Sequence, residues 1–254
     1  MTQLHQALTF RYNKYISLLA NKIYIPYSNQ QGLQMIDWKS INTVLLDMDG
    51  TLLDLHFDSH FWLEHLPRRY AELHKLERSN IEADLIAQIM AEKGRLNWYN
   101  LDYWSDRFNV DIPALKRETQ HLIGFRSDAL DFLQWLKIAH PRVVLATNAD
   151  RKSLELKLPL TGLDQYVDLI FSSSDVGIPK EDQGYWHALM EIEPFDPKAT
   201  LLIDDNESVL ASAQQFGIAQ LITISQPDSQ SPQRQMTEFP AITRFAELQP
   251  VNKP

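Results

Sequence analysis

The sequence predicts an α/β fold in which a doubly wound, Rossmann-like parallel sheet carries an inserted helical segment. Short apolar and β-branched runs alternate with helical patterns, and this alternation is typical of parallel βαβ units. A long helical block follows the first of these runs, which predicts a cap inserted into the sheet domain. The predicted strands are Val44–Leu46, Arg142–Ala146, Val167–Phe171, Thr200–Ile203 and Ala219–Ile224.

Three segments are expected along the chain. Residues 1–35 mix aromatic and polar residues without sustained periodicity, and we interpret them as an N-terminal extension. Residues 36–57 and 125–250 contain the strand signals and are predicted to form the core. Residues 58–124 contain the helical signals and are predicted to form a cap domain.

Composition excludes several kinds of function. The 254 residues include 33 acidic and 24 basic side chains, a net charge of -9, which argues against binding to a nucleic acid polymer or an anionic membrane. There is no cysteine, so disulfides, thiolate catalysis and a Cys-ligated zinc are ruled out. No apolar run reaches the length of a membrane-spanning helix. A cytoplasmic protein is expected, and its oligomeric state is left open.

The most informative stretch is the end of the first predicted strand. The apolar run Val44–Leu46 leads into Asp47 and Asp49, and Gly50 and Thr51 follow at once. Acids that follow a buried parallel strand lie at its carboxyl end, where open α/β sheets bind their ligands. Two nearby carboxylates repel each other unless a cation or a shared proton offsets the charge. Divalent metal chemistry is therefore the first hypothesis.

Three further polar groups are expected at the same edge of the sheet. Thr147 and Asn148 follow the second strand, Lys180 lies in a loop, and Asp204 and Asp205 follow the fourth strand. Acids suit a hard cation, a hydroxyl and an amide suit phosphate oxygens, and a lysine suits the remaining negative charge. Together these groups predict phosphoryl transfer.

These motifs resemble those of the haloacid dehalogenase superfamily, whose first motif is Asp-x-Asp-Gly-Thr. The later motifs of that superfamily also match in order. Within the superfamily, about residues 34–248 resemble the bacterial GMP/IMP 5′-nucleotidases in particular. This resemblance is carried by residues 44–54, 96–99, 101–105, 179–183 and 186–188.

The resemblance implies a hydrolytic mechanism with an aspartyl-phosphate intermediate. Asp47 would attack phosphorus, and Asp49 would protonate the leaving oxygen and then deprotonate the attacking water. Mg²⁺ would be held by Asp47, by the backbone carbonyl of Asp49 and by one acid of the last pair. We favour Asp205 as the direct ligand and place Asp204 behind it.

The transferred phosphoryl group would be bound by Thr147 and Lys180, and Asn148 offers an amide to the same oxygens. The implied substrate is a small nucleoside monophosphate, GMP or IMP. Alternatives are a phosphatase or phosphomutase of the same superfamily acting on a small sugar phosphate or phosphoglycolate. A catalytically silent binding protein is a further alternative.

Two other groups of residues allow more than one interpretation. His56 and His60 are four residues apart, which permits a zinc site, although a lid or hinge role is preferred. Aromatic residues of the cap could stack on a nucleobase or could fill the cap core. They are Phe57, Trp62, Trp98, Tyr99, Tyr103 and Trp104.

Overall fold

The centre of the protein is a six-stranded parallel sheet, seen here in a computed structural model that describes residues 36–139, 141–236 and 238–249. The predicted extension at 1–35 lies outside the described residues. The strands are β1 (Thr43–Leu46), β2 (Arg142–Thr147), β3 (Leu169–Ser172), β4 (Thr200–Ile203), β5 (Gln220–Ile224) and β6 (Ala241–Ile242).

Strand order defines the topology. The order across the sheet is β3-β2-β1-β4-β5-β6, and every neighbouring pair is parallel. The order reverses direction at β1, as in doubly wound nucleotide-binding folds. The predicted fold class is therefore confirmed, and five of the six strands were expected. The sixth, β6, has only two residues, too few to leave a pattern in the sequence.

β1 is central because it pairs with β2 on one side and with β4 on the other, and all four of its residues are buried. Val44 and Leu46 point into the core on one side of the sheet, and Leu45 points into the core on the opposite side. Burying one such side chain stabilises the fold by about 1.5–3 kcal/mol. A strand that is buried on both faces has an unbroken apolar run, as observed at this position.

The helices occupy both faces of the sheet and the segment between β1 and β2. They are α1 (His56–His60), α2 (Leu66–His74), α3 (Arg78–Ala91), α4 (Leu96–Tyr99), α5 (Leu101–Phe108), α6 (Ile112–Glu118), α7 (Ala129–Ala139), α8 (Arg151–Thr161), α9 (Ser173–Val176), α10 (Gln183–Ile192) and α11 (Glu207–Phe216). One π-helical segment, Phe61–His65, joins α1 to α2. α7 packs on one face through Phe132 and Leu136, and α10 and α11 pack on the other through Trp186 and Leu210.

The helices between β1 and β2 have a hydrophobic cluster of their own. Its buried members are Phe61, Leu66, Leu85, Ile89, Leu101, Trp104, Phe108, Ile112 and Leu115. Two backbone hydrogen bonds join the segments that lead into and out of these helices. The amide of Asp54 donates to Gly124 O, and the amide of Arg126 donates to Leu52 O, both at 2.9 Å. We retain as a proposal that residues 58–124 form a cap domain.

Among the described residues, no helix is both long enough and apolar enough to cross a membrane.

Candidate active site

Six of the seven predicted site residues lie at or just after the carboxyl ends of three adjacent strands, and Lys180 lies in the loop before α10. The amide of Asp47 donates to Ile203 O at 3.0 Å, so the β1–β4 ladder continues to Asp47. The amide of Asp204 donates to Ile222 O at 3.1 Å and extends the β4–β5 ladder in the same way. Thr147 is the last residue of β2. The sheet therefore fixes the backbone from which each of these side chains projects.

The loops after the strands are shaped by helix caps. Asp150 accepts a hydrogen bond from the amide of Ser153 and begins α8 directly after β2. Asn206 accepts one from the amide of Ser208 and begins α11 directly after β4. Asp182 caps α10 in the same way, two residues after Lys180. Such caps stabilise a helix start by about 1 kcal/mol, and here they keep the polar loops short.

Lys180 binds the two innermost carboxylates. Its Nζ donates to Asp47 Oδ1 and to Asp204 Oδ2, both at 2.6 Å, and to Ala146 O at 3.0 Å. All three protons of the ammonium group therefore have acceptors. Burial favours the neutral amine, but the two carboxylates outweigh burial and raise the pKa of Lys180. The side chain is 2% exposed, and it remains a cation inside the protein.

One lysine does not neutralise the three acids at this point. Burial raises the pKa of Asp47 to about 7, although Lys180 opposes the shift. Burial and the neighbouring acids also raise the pKa of Asp204 to about 6 and that of Asp205 to about 6. A further positive charge would favour the ionised form of all three groups.

The same acids have the arrangement of a metal site. Asp47, Asp204 and Asp205 each offer an oxygen within 4.8 Å of the others, the single such group that the described residues contain. Carboxylate oxygens are the ligands that Mg²⁺ prefers, so the residues fit the expected ion. Asp204 already accepts from Lys180 and from the amide of Asn206 at 2.9 Å. Among the described residues, the side chain of Asp205 has a single hydrogen-bond partner, Arg234 Nη2 at 3.4 Å, which leaves it the freer ligand.

Gly50 lies against Asp205 and has a backbone that other residues rarely adopt. Its φ is +88°, and an added Cβ would lie 2.8 Å from Asp205 Cγ and 3.0 Å from Pro227 Cβ. Only glycine satisfies both conditions without displacing a neighbour. The glycine of the first motif therefore allows the chain to pass close to the acid.

Asp49 is in a second cluster of charges. Its Oδ1 accepts from Lys157 Nζ at 2.7 Å, and Lys157 also donates to Asp58 Oδ2 at 2.7 Å. Asp58 in turn accepts from Lys116 Nζ at 2.6 Å. Burial raises the pKa of Asp49, and Lys157 opposes the shift. The sequence motifs did not indicate Lys157, Asp58 or Lys116, because all three lie within helices and not at the ends of strands.

Thr147 and Asn148 are buried and already hydrogen-bonded within the protein. Thr147 Oγ1 accepts from the amide of Ala149 at 3.0 Å. Asn148 Oδ1 accepts from the amide of Lys180 at 2.9 Å, and Asn148 Nδ2 donates to Glu181 Oε2 at 2.9 Å. Asn148 thus fixes the backbone of Lys180. Whether Thr147 and Asn148 bind phosphate stays a prediction.

Glu181 connects this site to the inserted helices. Its Oε1 accepts from the hydroxyl of Tyr99 at 2.9 Å and from Asn206 Nδ2 at 3.3 Å. Burial and the nearby carboxylate raise the pKa of Tyr99, which keeps its hydroxyl a donor. The only role that the sequence suggests for Glu181 is at the start of α10, where an acid suits the helix dipole.

The histidines and most cap aromatics have structural contacts. His56 Nδ1 lies 3.5 Å from Asp228, and His60 Nδ1 lies 3.4 Å from Glu64, and neither belongs to a possible metal group in the described part of the chain. Trp104 is fully buried in the hydrophobic cluster of the helices between β1 and β2. The hydroxyl of Tyr103 donates to Glu92 at 3.0 Å.

The fold and these motifs define a class of protein. A model of the haloacid dehalogenase-like hydrolase family matches residues 41–217. The chain therefore belongs to the haloacid dehalogenase-like hydrolases.

Particular relatives refine this assignment. The GMP/IMP nucleotidase YrfG of Escherichia coli (strain K12) is 39% identical over 215 residues, which cover 85% of this chain and 97% of the relative. The pyrophosphatase PpaX of Bacillus mycoides is 24% identical over 192 residues, 70% of this chain and 80% of the relative. A haloacid dehalogenase phosphatase from Thermococcus onnurineus has the same fold, with a TM-score of 0.68 and 20% identity over 82% of this chain and 96% of its own.

Proposed function

We propose that the protein is a Mg²⁺-dependent 5′-nucleotidase that dephosphorylates purine nucleoside monophosphates such as GMP and IMP. The observation that carries the chemistry is the convergence of Asp47, Asp204 and Asp205 with Lys180 at one edge of the sheet. The substrate class rests on the GMP/IMP nucleotidase that is 39% identical over 85% of the chain.

The nucleophile of this mechanism is Asp47. One of its oxygens attacks phosphorus, the bond between phosphorus and the ester oxygen breaks, and the leaving oxygen takes a proton from Asp49. Water then attacks phosphorus and gives a proton to Asp49, and the bond between phosphorus and Asp47 breaks to release inorganic phosphate. Lys180 lies 2.6 Å from Asp47 and would stabilise charge on the phosphoryl oxygens.

The size of the rate acceleration shows why the whole group of charged residues around Asp47 is needed. Enzymatic hydrolysis of phosphate monoesters corresponds to accelerations of up to about 10²¹-fold. A positioned general acid supplies only about 10²–10⁴-fold. Asp49 therefore accounts for a minor part, and charge stabilisation and alignment around Asp47 must supply the rest.

The proposed Mg²⁺ would be held by Asp47, by the backbone carbonyl of Asp49 and by Asp205. When bound it would neutralise the developing negative charge on the phosphoryl group. Asp204 accepts from both Lys180 and the amide of Asn206, and it would orient the lysine.

A panel of phosphate monoesters tests the proposal. Phosphate release is measured from GMP, IMP, AMP, CMP, glucose 6-phosphate and phosphoglycolate, with Mg²⁺ and with EDTA. We expect the largest kcat/KM for GMP and IMP, and loss of activity in EDTA that added Mg²⁺ restores. Preference for a sugar phosphate or phosphoglycolate would overturn the nucleotidase assignment alone. No release from any ester would overturn the phosphatase assignment as well.

A further inference from the structure

We propose that Lys157 is a positioning residue that holds the carboxylate of Asp49 and ties it to Asp58 in the inserted helices. This inference rests on the proposed function, in which Asp49 transfers the proton. Lys157 belongs to α8, Asp49 follows β1, and Asp58 belongs to α1. The lysine therefore joins the sheet domain to the first inserted helix.

The contacts form an alternating chain of charges. Lys157 donates to Asp49 and to Asp58 at 2.7 Å each, and the second oxygen of Asp58 accepts from Lys116 at 2.6 Å. Because Lys157 is 2% exposed, water does not compete for its protons. Negative and positive groups alternate in this row. The two inner groups, Lys157 and Asp58, therefore each have an oppositely charged partner on both sides.

The aromatic surroundings limit where Lys157 can point. Its Nζ lies 5.2 Å from the ring centroid of Phe57, and Lys116 Nζ lies 4.8 Å from the same ring. A cation at this distance from an aromatic face is attracted to it. The ring of Phe57 therefore lies beside both ammonium groups and favours their observed positions.

Stability alone is a weak explanation for this cluster. Desolvating a buried ion pair costs as much free energy as its attraction returns, and apolar replacements are often neutral or stabilising. The proposed reaction, however, needs the carboxyl of Asp49 to be held in place. Proton transfer requires a donor within hydrogen-bond reach of the reacting oxygen. Lys157 binds one oxygen of Asp49 and thereby restricts the carboxyl plane.

Leaving-group dependence separates this role from general damage to the fold. The 5′-alkoxide of a nucleoside needs a proton to leave, whereas p-nitrophenolate leaves without one. We expect Lys157→Met to lower kcat/KM for GMP by about 10²-fold, the smallest effect typical of losing a general acid. The same variant should lower kcat/KM for p-nitrophenyl phosphate by less than about 5-fold, because that ester bypasses the acid. Lys157→Arg should restore much of the GMP activity, because arginine can still donate to both carboxylates.

A matched control is available on the same helix. Lys152 pairs with Asp102 at the surface and does not contact Asp49, so Lys152→Met should change neither rate by more than about 2-fold.

A double variant gives a second test of the positioning role, with GMP as the only substrate. Once Asp49→Asn has removed the acid, adding Lys157→Met should cost little further activity.

Equal losses on both esters in Lys157→Met would overturn the positioning role, as would a full additional loss in the double variant. Neither result would affect the proposed function, which requires only that the wild-type enzyme hydrolyses GMP. Failure of the wild-type enzyme on every ester would instead overturn the proposed function, and this inference with it.

Discussion

At the scale of single residues, the proposed nucleophile is already paired with a cation. Lys180 donates to Asp47 and Asp204 at 2.6 Å and is almost completely buried. Removing one member of a buried pair leaves an uncompensated charge, which is why such sites respond strongly to single substitutions. An isosteric amide is therefore the most informative change, since it keeps the shape and removes the charge.

Asp47→Asn should abolish phosphate release, by on the order of 10⁴-fold or more, because an amide cannot form the aspartyl-phosphate. Lys180 keeps its contacts with Asp204 and Ala146, so the fold should persist. Activity is measured with GMP and folding by circular dichroism. Asp131→Asn, at an exposed position in α7, is the control that should retain activity. Turnover by Asp47→Asn close to the wild-type rate would refute the assigned nucleophile.

Gly50→Ala should weaken metal binding through Asp205. The new Cβ would lie 2.8 Å from Asp205 Cγ, so the acid must shift. We expect the Mg²⁺ concentration for half-maximal activity to rise several-fold. Gly94→Ala is the matched control, because Gly94 has a φ of +80° with nothing within 4 Å. It should lose about 1 kcal/mol of stability from backbone strain and keep its Mg²⁺ requirement. Equal Mg²⁺ requirements in the two variants would contradict the steric argument.

Mg²⁺ affinity should fall as the pH is lowered through 6. Burial raises the pKa of Asp205 to about 6 and that of Asp47 to about 7, so both bind protons at a pH where ordinary carboxylates are ionised. Protons then compete with the ion, and we expect affinity to drop at least about 10-fold between pH 7.5 and pH 5. Calorimetric titration in buffers of different ionisation enthalpy measures both affinity and proton release. An affinity independent of pH would contradict the combination of raised pKa values and metal binding at these two acids.

Residue motifs predicted part of this site for a simple reason. Asp47, Asp49, Asp204 and Asp205 directly follow apolar strands, so their shared edge can be read from the sequence. Lys157 lies inside a helix, and its partner Asp49 is 108 positions away. No local pattern marks such a contact, because it depends on how α8 packs beside β1.

At the scale of elements, a hydrogen bond connects the inserted helices to the loop of Lys180. Tyr99, the last residue of α4, donates to Glu181 at 2.9 Å, and Glu181 accepts from Asn148 as well. Asn148 in turn accepts from the amide of Lys180. The position of α4 is thus linked to the residues expected to bind phosphate.

Tyr99→Phe should raise the KM for GMP by about 3- to 10-fold, equivalent to about 0.7–1.4 kcal/mol, with a smaller change in kcat. Loss of the hydroxyl removes one of the three donors to Glu181 and loosens its contact with Asn148. Steady-state kinetics measure both constants. Tyr103→Phe is the control, because Tyr103 is also in the inserted helices but donates to Glu92. The same change in both variants would point to a general effect on the helices.

Helix ends can be read from the sequence where the local chemistry is strong. Pro113 lies in the first turn of α6 and Gly217 ends α11 in a left-handed conformation, both as their backbone preferences require. β6 was missed because two residues, Ala241 and Ile242, form a strand only by pairing with β5. Short edge strands depend on the neighbouring strand more than on their own sequence.

At the scale of the whole molecule, the contribution to catalysis of the segment that precedes the family match can be tested by removing that segment. Removal of residues 1–33 should leave kcat for GMP within about 2-fold if that segment does not take part in catalysis. The remaining chain still includes residues 41–217, which match the family. Kinetics and light scattering on the full and trimmed chains provide the comparison. A large loss of kcat would show that the segment contributes to the site or to assembly.

The central position of β1 has a consequence for biosynthesis. Thr43 pairs with Arg142 on one side and with Thr200 on the other. At about 5–20 residues per second, the ribosome makes the first of these partners roughly 5–20 s after β1. The inserted helices are complete by then and can bury their own apolar cluster, whereas Val44, Leu45 and Leu46 remain without a sheet. The segment that carries Asp47, the proposed nucleophile, therefore lacks both neighbouring strands until after the inserted helices have been made.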